Sequence, residues 1–321
     1  MRKILLATTA LVAVGGVSAA SADITMSGSA SYNYVTTSGT GGQGTTTAGG
    51  PANAEDRDMS TTVDANIAMS SALDNGMTIS GLVSLDEGGV DDSGWSIAGD
   101  FGTLAFGGTA NDGFGATATG LTADEGNTFA TTTGTSAATA LTLPYKTVHN
   151  DYIPHSNVSL TLPAVSGFQL GVGITDGATS AGDGTQWGLK YSMEAGSMTV
   201  DVAYASASTG TAGSDATSAG ATLTMGDTKI VVASNETGTY TSDSIGASYA
   251  VSDALTVQGY TGSTTKSDTA GYESEDTAIG LTYTVTTGLT VSVTHNDFSG
   301  KGGSNAAEAG TRTVIALDAT F

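Results

Sequence analysis

The side chains that most often carry out chemistry are scarce in this chain. It has three histidines, no cysteine and no Gly-x-Ser-x-Gly motif. A hydrolase must bring together a nucleophile, a base and a group that orients the base. His149 and His155 lie near Asp151 in one long connector, where solvated loop side chains are the simpler interpretation. His295 lies in a predicted β-strand, at one of the alternating positions whose side chains are expected to face outward, so it is expected at an interface. The sequence therefore predicts no enzyme activity.

Oxygen ligands offer a second kind of site. Asp86, Glu87, Asp91 and Asp92 flank a short connector, and carboxylates of this kind suit Ca²⁺. Their spacing matches no fixed calcium motif, so a solvated acidic loop is the favoured interpretation and no cofactor is predicted. The glycine-rich run 39–50 lacks the strand–turn–helix context of a phosphate site.

The first 22 residues have the pattern of an export signal. Arg2 and Lys3 form a basic start, an apolar run 4–17 follows, and Ala20-Ser21-Ala22 is an A-x-A cleavage site. The sequence therefore predicts a signal peptide at 1–22 and a mature domain at 23–321. The full chain has 9 Lys and Arg against 31 Asp and Glu, a net charge of −22. That acidic excess argues against binding to nucleic acid.

The elements that carry these side chains are β-strands. From Asp23 to Val35 apolar and polar residues alternate, and a period of two predicts a strand with one apolar face. Seven short turns and eight longer connectors join sixteen such segments. The connectors are 36–58, 87–93, 109–156, 175–184, 206–217, 235–241, 262–276 and 297–311. Short turns at one end and long loops at the other are typical of outer-membrane barrels and unusual in soluble sandwiches.

The last strand predicts how the barrel closes. Residues 313–321 alternate and end on the aromatic Phe321. A strand edge left unpaired in lipid would expose backbone N–H and C=O groups without partners, so the last strand must pair with the first. Tyr32, Tyr34, Trp95, Trp187, Tyr191, Tyr204 and Tyr249 lie near strand ends, as expected of an interfacial aromatic girdle.

The whole mature chain resembles the general porins of α-proteobacteria, the Rhodobacter type. The resemblance rests on the segments 23–30, 69–81 and 99–108, on the long third connector and on Phe321. It implies an all-β, sixteen-stranded antiparallel transmembrane barrel that assembles as a homotrimer in the outer membrane, with the connector 109–156 folded into the pore as a constriction. Members of this family bind calcium in loops, which keeps a weak calcium site possible here.

The same resemblance directs attention to the charges along the pore. The third connector carries Asp112, Asp124, Glu125, Lys146, His149, Asp151 and His155. By parity the inward charges of the strands are Asp64, Lys190, Asp201, Lys229, Arg312 and Asp318. The family often has arginines on this wall, but here Thr62 and Asp64 occupy such positions. We therefore expect a weak transverse field and a net negative lumen that prefers cations.

The sequence leaves one alternative open. An exported surface adhesin or an S-layer-like structural β protein would also be acidic, cysteine-free and rich in Thr, Ser and Gly. Such a protein needs no terminal Phe and extracts without detergent. A general diffusion porin has other expected partners: a second and third copy of itself, outer-membrane lipid, and the barrel-assembly machinery, which would bind the strand that ends at Phe321.

Overall fold

The computed structural model describes residues 22–40, 56–86, 89–107, 158–175, 183–209, 215–238, 240–266, 273–301 and 308–321. They form sixteen antiparallel strands in one closed barrel, which confirms the predicted fold class. Each strand pairs with its neighbours in sequence, and β1 pairs with β16. Within these ranges no helix is long and apolar enough to cross a membrane.

The strands have the following bounds. They are β1 Ala22–Thr40, β2 Asp56–Ala72, β3 Thr78–Asp86, β4 Gly89–Gly99, β5 Gly102–Gly107, β6 Val158–Thr161, β7 Phe168–Thr175, β8 Gly184–Ala195, β9 Met198–Thr209, β10 Ala216–Met225, β11 Thr228–Thr237, β12 Tyr240–Ser252, β13 Leu255–Lys266, β14 Glu273–Thr286, β15 Leu289–Lys301 and β16 Glu308–Thr320. Several run further than predicted. The predicted connector 262–276 is too long, because β13 continues to Lys266 and β14 begins at Glu273.

The two faces of the sheet differ sharply in exposure. On β14 the outward Ile279 is 63% exposed, whereas the inward Ala278 beside it is 4% exposed. The same contrast recurs around the barrel, with large apolar side chains on the outside. Cross-strand aromatic pairs reinforce that outer face: Trp95 stacks on Phe106 with ring centroids 4.3 Å apart, and Phe168 packs on Tyr191 at the same distance. An outer face of this kind suits the hydrocarbon of a bilayer.

The short turns follow the predicted chemistry. Between β2 and β3 the backbone N–H of Met77 donates to the side-chain oxygen of Asn75 at 3.2 Å. Gly76 beside it adopts φ +81°, a conformation that L side chains rarely adopt. The N–H of Leu73 then donates to the carbonyl of Met77 at 2.7 Å and closes the turn. Asn and Gly at these positions therefore fix the pairing of β2 with β3.

The barrel closes at its terminal residue. The N–H of Gly28 donates to the carbonyl of Phe321 at 2.7 Å, and the N–H of Phe321 donates to the carbonyl of Gly28 at 3.0 Å. A Cβ on Gly28 would lie 2.6 Å from Cε2 of the Phe321 ring, so a larger residue there would require the ring to move. Phe321 therefore continues the ladder of β16 and covers Gly28 on the outer face of β1.

Candidate functional site: the inner wall of the barrel

Alternate residues of every strand face into the barrel, and together they form the inner wall. It has two unlike parts. The buried arc comprises the inner faces of β8 to β16, which carry nine polar side chains that are no more than 7% exposed: Gln186, Ser218, Thr222, Asn235, Ser242, Thr264, Asp276, Thr294 and Asn296. The open arc comprises the inner faces of β2 to β4, and none of its described side chains is in the buried class. Most of the buried polar side chains of the wall therefore lie on β8 to β16.

A cavity marks the open arc. It has a volume of about 250 Å³ and lies near the turn end of β1 to β4. The inward side chains that line it are Leu82 and six small or polar ones: Asp23, Thr25, Ala68, Ser70, Ser80 and Ser96. The strand register places Ser70 between Asp23 and Ser80, in one cross-strand row. The cavity is thus lined by hydroxyl groups of the open arc and by the Asp23 carboxylate of the neighbouring β1.

Two carboxylates flank the strand that closes the barrel. Ser29 donates its hydroxyl to Oδ2 of Asp64 on β2 at 3.2 Å. On the other side of β1, Ser31 donates to Oδ1 of Asp318 on β16 at 2.6 Å. Each aspartate side chain is thus positioned by a serine hydroxyl on β1. Asp64 and Asp318 share the inward parity of Ser29 and Ser31, and they place two carboxylates beside the closing seam, the pairing of β1 with β16.

The predicted bases lie elsewhere on the wall. Lys190 on β8 and Asp201 on β9 share the inward parity, and Asp201 pairs in register with Ser192, one inward position from Lys190. Lys229 is inward on β11. Arg312 lies six residues along β16 from Asp318, about 20 Å at the rise of a strand. Among the side chains that the structure describes, the bases of the wall therefore do not form one array opposite the acids.

Arg312 belongs to a cluster that sequence analysis missed. Tyr260 on β13 donates its hydroxyl to Oδ2 of Asp276 on β14 at 2.6 Å, and Asn296 on β15 donates to the Tyr260 hydroxyl at 3.4 Å. The register pairs Asn296 with Arg312. Asp276 was assigned to a connector, although extending the parity of Ala278 by two residues would have placed it on the inner wall. The sequence interpretation started β14 too late in the chain, and for that reason it left out Asp276.

Several predicted site residues lie outside the described part of the chain. These are Asp112, Asp124, Glu125, Lys146, His149, Asp151 and His155, all in the connector 109–156. Of the four weak calcium candidates, only Asp86 has a described side chain, and it is exposed at the end of β3. Among the described residues no group of three or more Asp, Glu or His side chains could hold a metal ion.

His295 occupies the outward position expected from its parity. Its Nδ1 lies 2.8 Å from the Thr313 hydroxyl and its Nε2 lies 3.9 Å from Oδ2 of Asp297. Its side chain is 46% exposed. A histidine on the outer face cannot act on a solute inside the barrel. It therefore plays no part in the inner-wall site.

The described charges of the inner wall are mainly acidic. Its carboxylates are Asp23, Asp64, Asp86, Glu194, Asp201, Asp276 and Asp318, and its bases are Lys190, Lys229 and Arg312. Charges that line a water-filled lumen act on passing ions over about 8–10 Å at ordinary salt concentrations. The arrangement can attract or repel ions and can hydrogen-bond polar solutes.

Comparison with known proteins identifies the same architecture. A family profile described as Gram-negative porin matches residues 7–303. No curated protein matches the sequence significantly. Among solved structures, the barrel is similar to an anion-selective porin from Comamonas acidovorans, with a TM-score of 0.65 and 15% identity over 94% of this chain and 100% of that chain.

Two further structures have similar folds. OmpT, an outer-membrane protein of Vibrio cholerae, matches with a TM-score of 0.61 and 15% identity over 94% of this chain and 98% of that chain. A mutant of the Rh. blastica porin matches with a TM-score of 0.60 and 16% identity, covering 93% of this chain and 100% of that chain. At such low identity these structures establish the fold, and the family profile carries the assignment beyond it.

Proposed function

The chain belongs to the Gram-negative porin family and forms a diffusion channel in the outer membrane, and from that premise we propose that its pore passes small hydrophilic solutes and prefers cations. Passage needs no chemical step, since selection depends on the bore and on the charges that line it. No enzyme activity is proposed. The barrel supplies an apolar outer face for lipid and an inner wall in which polar side chains alternate with small apolar ones.

The observation that carries the cation preference is the acidic inner wall. Asp64 and Asp318 flank β1 and each accepts a serine hydroxyl. Their negative charge raises the local concentration of cations and lowers that of anions. The fold does not decide this property, because the similar Comamonas acidovorans barrel is named as an anion-selective porin. The preference must come from the side chains of this chain.

The connector 109–156 is proposed as the constriction of the pore. Its length, between β5 and β6, far exceeds that of the other connectors, and long loops in compact domains are usually functional. Asp112, Asp124, Glu125 and Asp151 would add to the cation preference there, with Lys146, His149 and His155 as the opposing or titratable groups. Replacing those four carboxylates with amides is expected to lower the K⁺ preference, and unchanged selectivity would remove this role.

The assembly of the channel is also a proposal. We expect a homotrimer, export directed by a signal peptide at residues 1–22, and recognition of the β16 strand ending at Phe321 by the barrel-assembly machinery. The α-proteobacterial subgroup is proposed from the sequence segments that resemble it. Calcium binding near Asp86, Glu87, Asp91 and Asp92 remains a minor proposal, supported only by the oxygen ligands of that connector.

Planar-bilayer recording tests the proposed function. Detergent-purified protein is added under a KCl gradient, and both the conductance steps and the reversal potential are measured. Steps in groups of three with a reversal potential that favours K⁺ are expected for a trimeric, cation-preferring channel. A reversal potential that favours Cl⁻ would retain the channel and reject the charge argument. Folded protein that forms no channel would instead favour a structural role at the cell surface.

A further inference from the structure

A buried carboxylate lies within the wall of this channel. Asp276 is 1% exposed, although it sits on the inward face of β14. Burying an ionised carboxylate is costly unless it is hydrogen-bonded and paired with an opposite charge. It accepts a hydrogen bond of 2.6 Å from the Tyr260 hydroxyl. The carboxylate therefore has a dedicated hydroxyl donor.

The donor is itself firmly positioned. Tyr260 is 4% exposed and pairs in register with Gly246 on one side and Ala278 on the other. A Cβ on Gly246 would lie 3.2 Å from Cβ of Tyr260, so a larger residue there would crowd the tyrosine. The small Ala278 lets the Tyr260 hydroxyl meet Asn296, which is two strands away. The small residues Gly246 and Ala278 thus leave space for the Tyr260 ring.

A positive charge lies beside the cluster. Arg312 pairs in register with Asn296, and it interacts electrostatically with both Asp276 and Tyr260. Arg312 is less deeply buried than Asp276 and shares the inward parity of Val314 and Ala316. Opposite charges held close together largely cancel at a distance, particularly beyond the Debye length of about 10 Å. A guanidinium in this position need not attract anions into the lumen.

We propose that Asp276 is a determinant of ion selectivity, acting as the fixed counter-charge that cancels the field of Arg312 in the pore. The inference rests on the proposed channel function and adds a residue to it. Tyr260 and Asn296 are positioning residues, since they hold the carboxylate without facing a solute. The cation preference thus depends on a side chain that passing ions do not touch.

The test replaces Asp276 with asparagine, which keeps the shape and removes the charge. The reversal potential under a KCl gradient is expected to shift toward Cl⁻, by about twofold in the K⁺/Cl⁻ permeability ratio, as an interaction worth a fraction of a kcal/mol would give. The matched control is Asp243→Asn. Asp243 is an exposed carboxylate on the outer face of β12, so its removal should leave the reversal potential unchanged.

A double variant separates charge cancellation from other effects. Asp276→Asn combined with Arg312→Gln removes both charges, and it is expected to restore the wild-type reversal potential. If the Asp276→Asn shift persists in the double variant, the shift does not act through Arg312 and the proposal is overturned. An unshifted reversal potential in folded, conducting Asp276→Asn protein also overturns it. A wild-type protein that forms no channel would instead contradict the proposed function.

A second substitution at the same position keeps the test informative if Asp276→Asn does not fold. Asp276→Ser keeps a hydroxyl oxygen that can accept from Tyr260, and it should give the same shift toward Cl⁻. Folding is followed by the change in electrophoretic mobility on heating. If both single variants fail to fold while Asp243→Asn folds normally, Asp276 is a structural residue and the selectivity role is rejected.

Discussion

The open arc and the buried arc are parts of one sheet with one alternation, yet their inner faces serve different purposes. On the open arc, side chains such as Ser80 surround a cavity of about 250 Å³. On the buried arc, polar side chains can bond to one another: the Ser242 and Thr264 hydroxyls lie 2.6 Å apart, and both residues are 1% exposed. A polar inner wall is therefore not the same thing as a pore lining. Only exposed polar groups can meet a solute, and buried ones set the stability and the field.

The largest effect should come from a new charge on the buried arc. Ala207→Asp places a carboxylate at a residue that is 2% exposed and pairs with Gln186 and Ala216, neither of which is a base. An uncompensated buried charge costs about 3–5 kcal/mol. The midpoint of urea unfolding in detergent should fall sharply. The matched control is Ala68→Asp on the open arc, beside the cavity, where little change is expected. Equal losses at both sites would abolish the distinction between the arcs.

A smaller effect is expected from a lost hydroxyl pair. Ser242→Ala leaves the buried Thr264 hydroxyl without its Ser242 partner, a loss of about 1–3 kcal/mol. Thr261 and Thr277 form a similar pair at 2.9 Å, but on the exposed side of the sheet. Thr261→Val should therefore cost much less in the same unfolding experiment. A greater loss for Thr261→Val would mean that the buried hydroxyls contribute little to stability.

The smallest change in stability should come from a carboxylate of the open arc. Asp64→Asn removes a charge that is only partly buried, so the free energy of unfolding should change by less than about 1 kcal/mol. The reversal potential should nevertheless move toward Cl⁻. Asp297→Asn on the outer face is the control and should alter neither quantity appreciably. Selectivity unchanged in Asp64→Asn would show that the closing seam does not act on ions.

The sequence was sufficient to predict most of the fold, because the pattern and the structure rest on the same physical cause. A strand between lipid and water must alternate, and backbone groups in lipid must all be paired. The run from Asp23 to Val35 and the terminal Phe321 therefore indicated both the strand type and the closure. Strand ends were harder to place. Near the ends of β13 and β14, beyond the apolar part of the outer face, both sides of the sheet are polar. The sequence around Thr264 and Asp276 therefore resembled a loop.

The candidate site was predictable only in part. Parity placed Asp64, Lys190, Asp201 and Arg312 on the inner wall, because it depends on backbone geometry alone. It could not separate the open arc from the buried arc, since exposure depends on what lies across the lumen. Nor could it link Tyr260 to Asp276, because that contact requires the register between two strands.

The closing seam also bears on how the chain reaches this fold. Ser31 and Asp318 are 287 residues apart in sequence, yet they form a hydrogen bond of 2.6 Å. Loop-closure entropy grows as about 1.5 RT times the logarithm of loop length, so joining these ends costs about 4 kcal/mol more than closing a three-residue turn. The other fifteen strand pairings join neighbours in sequence and can form progressively. Closure requires β16, so a chain in which β16 has not yet paired is a sheet with two open edges, and this step of folding is slow unless both edges are held together.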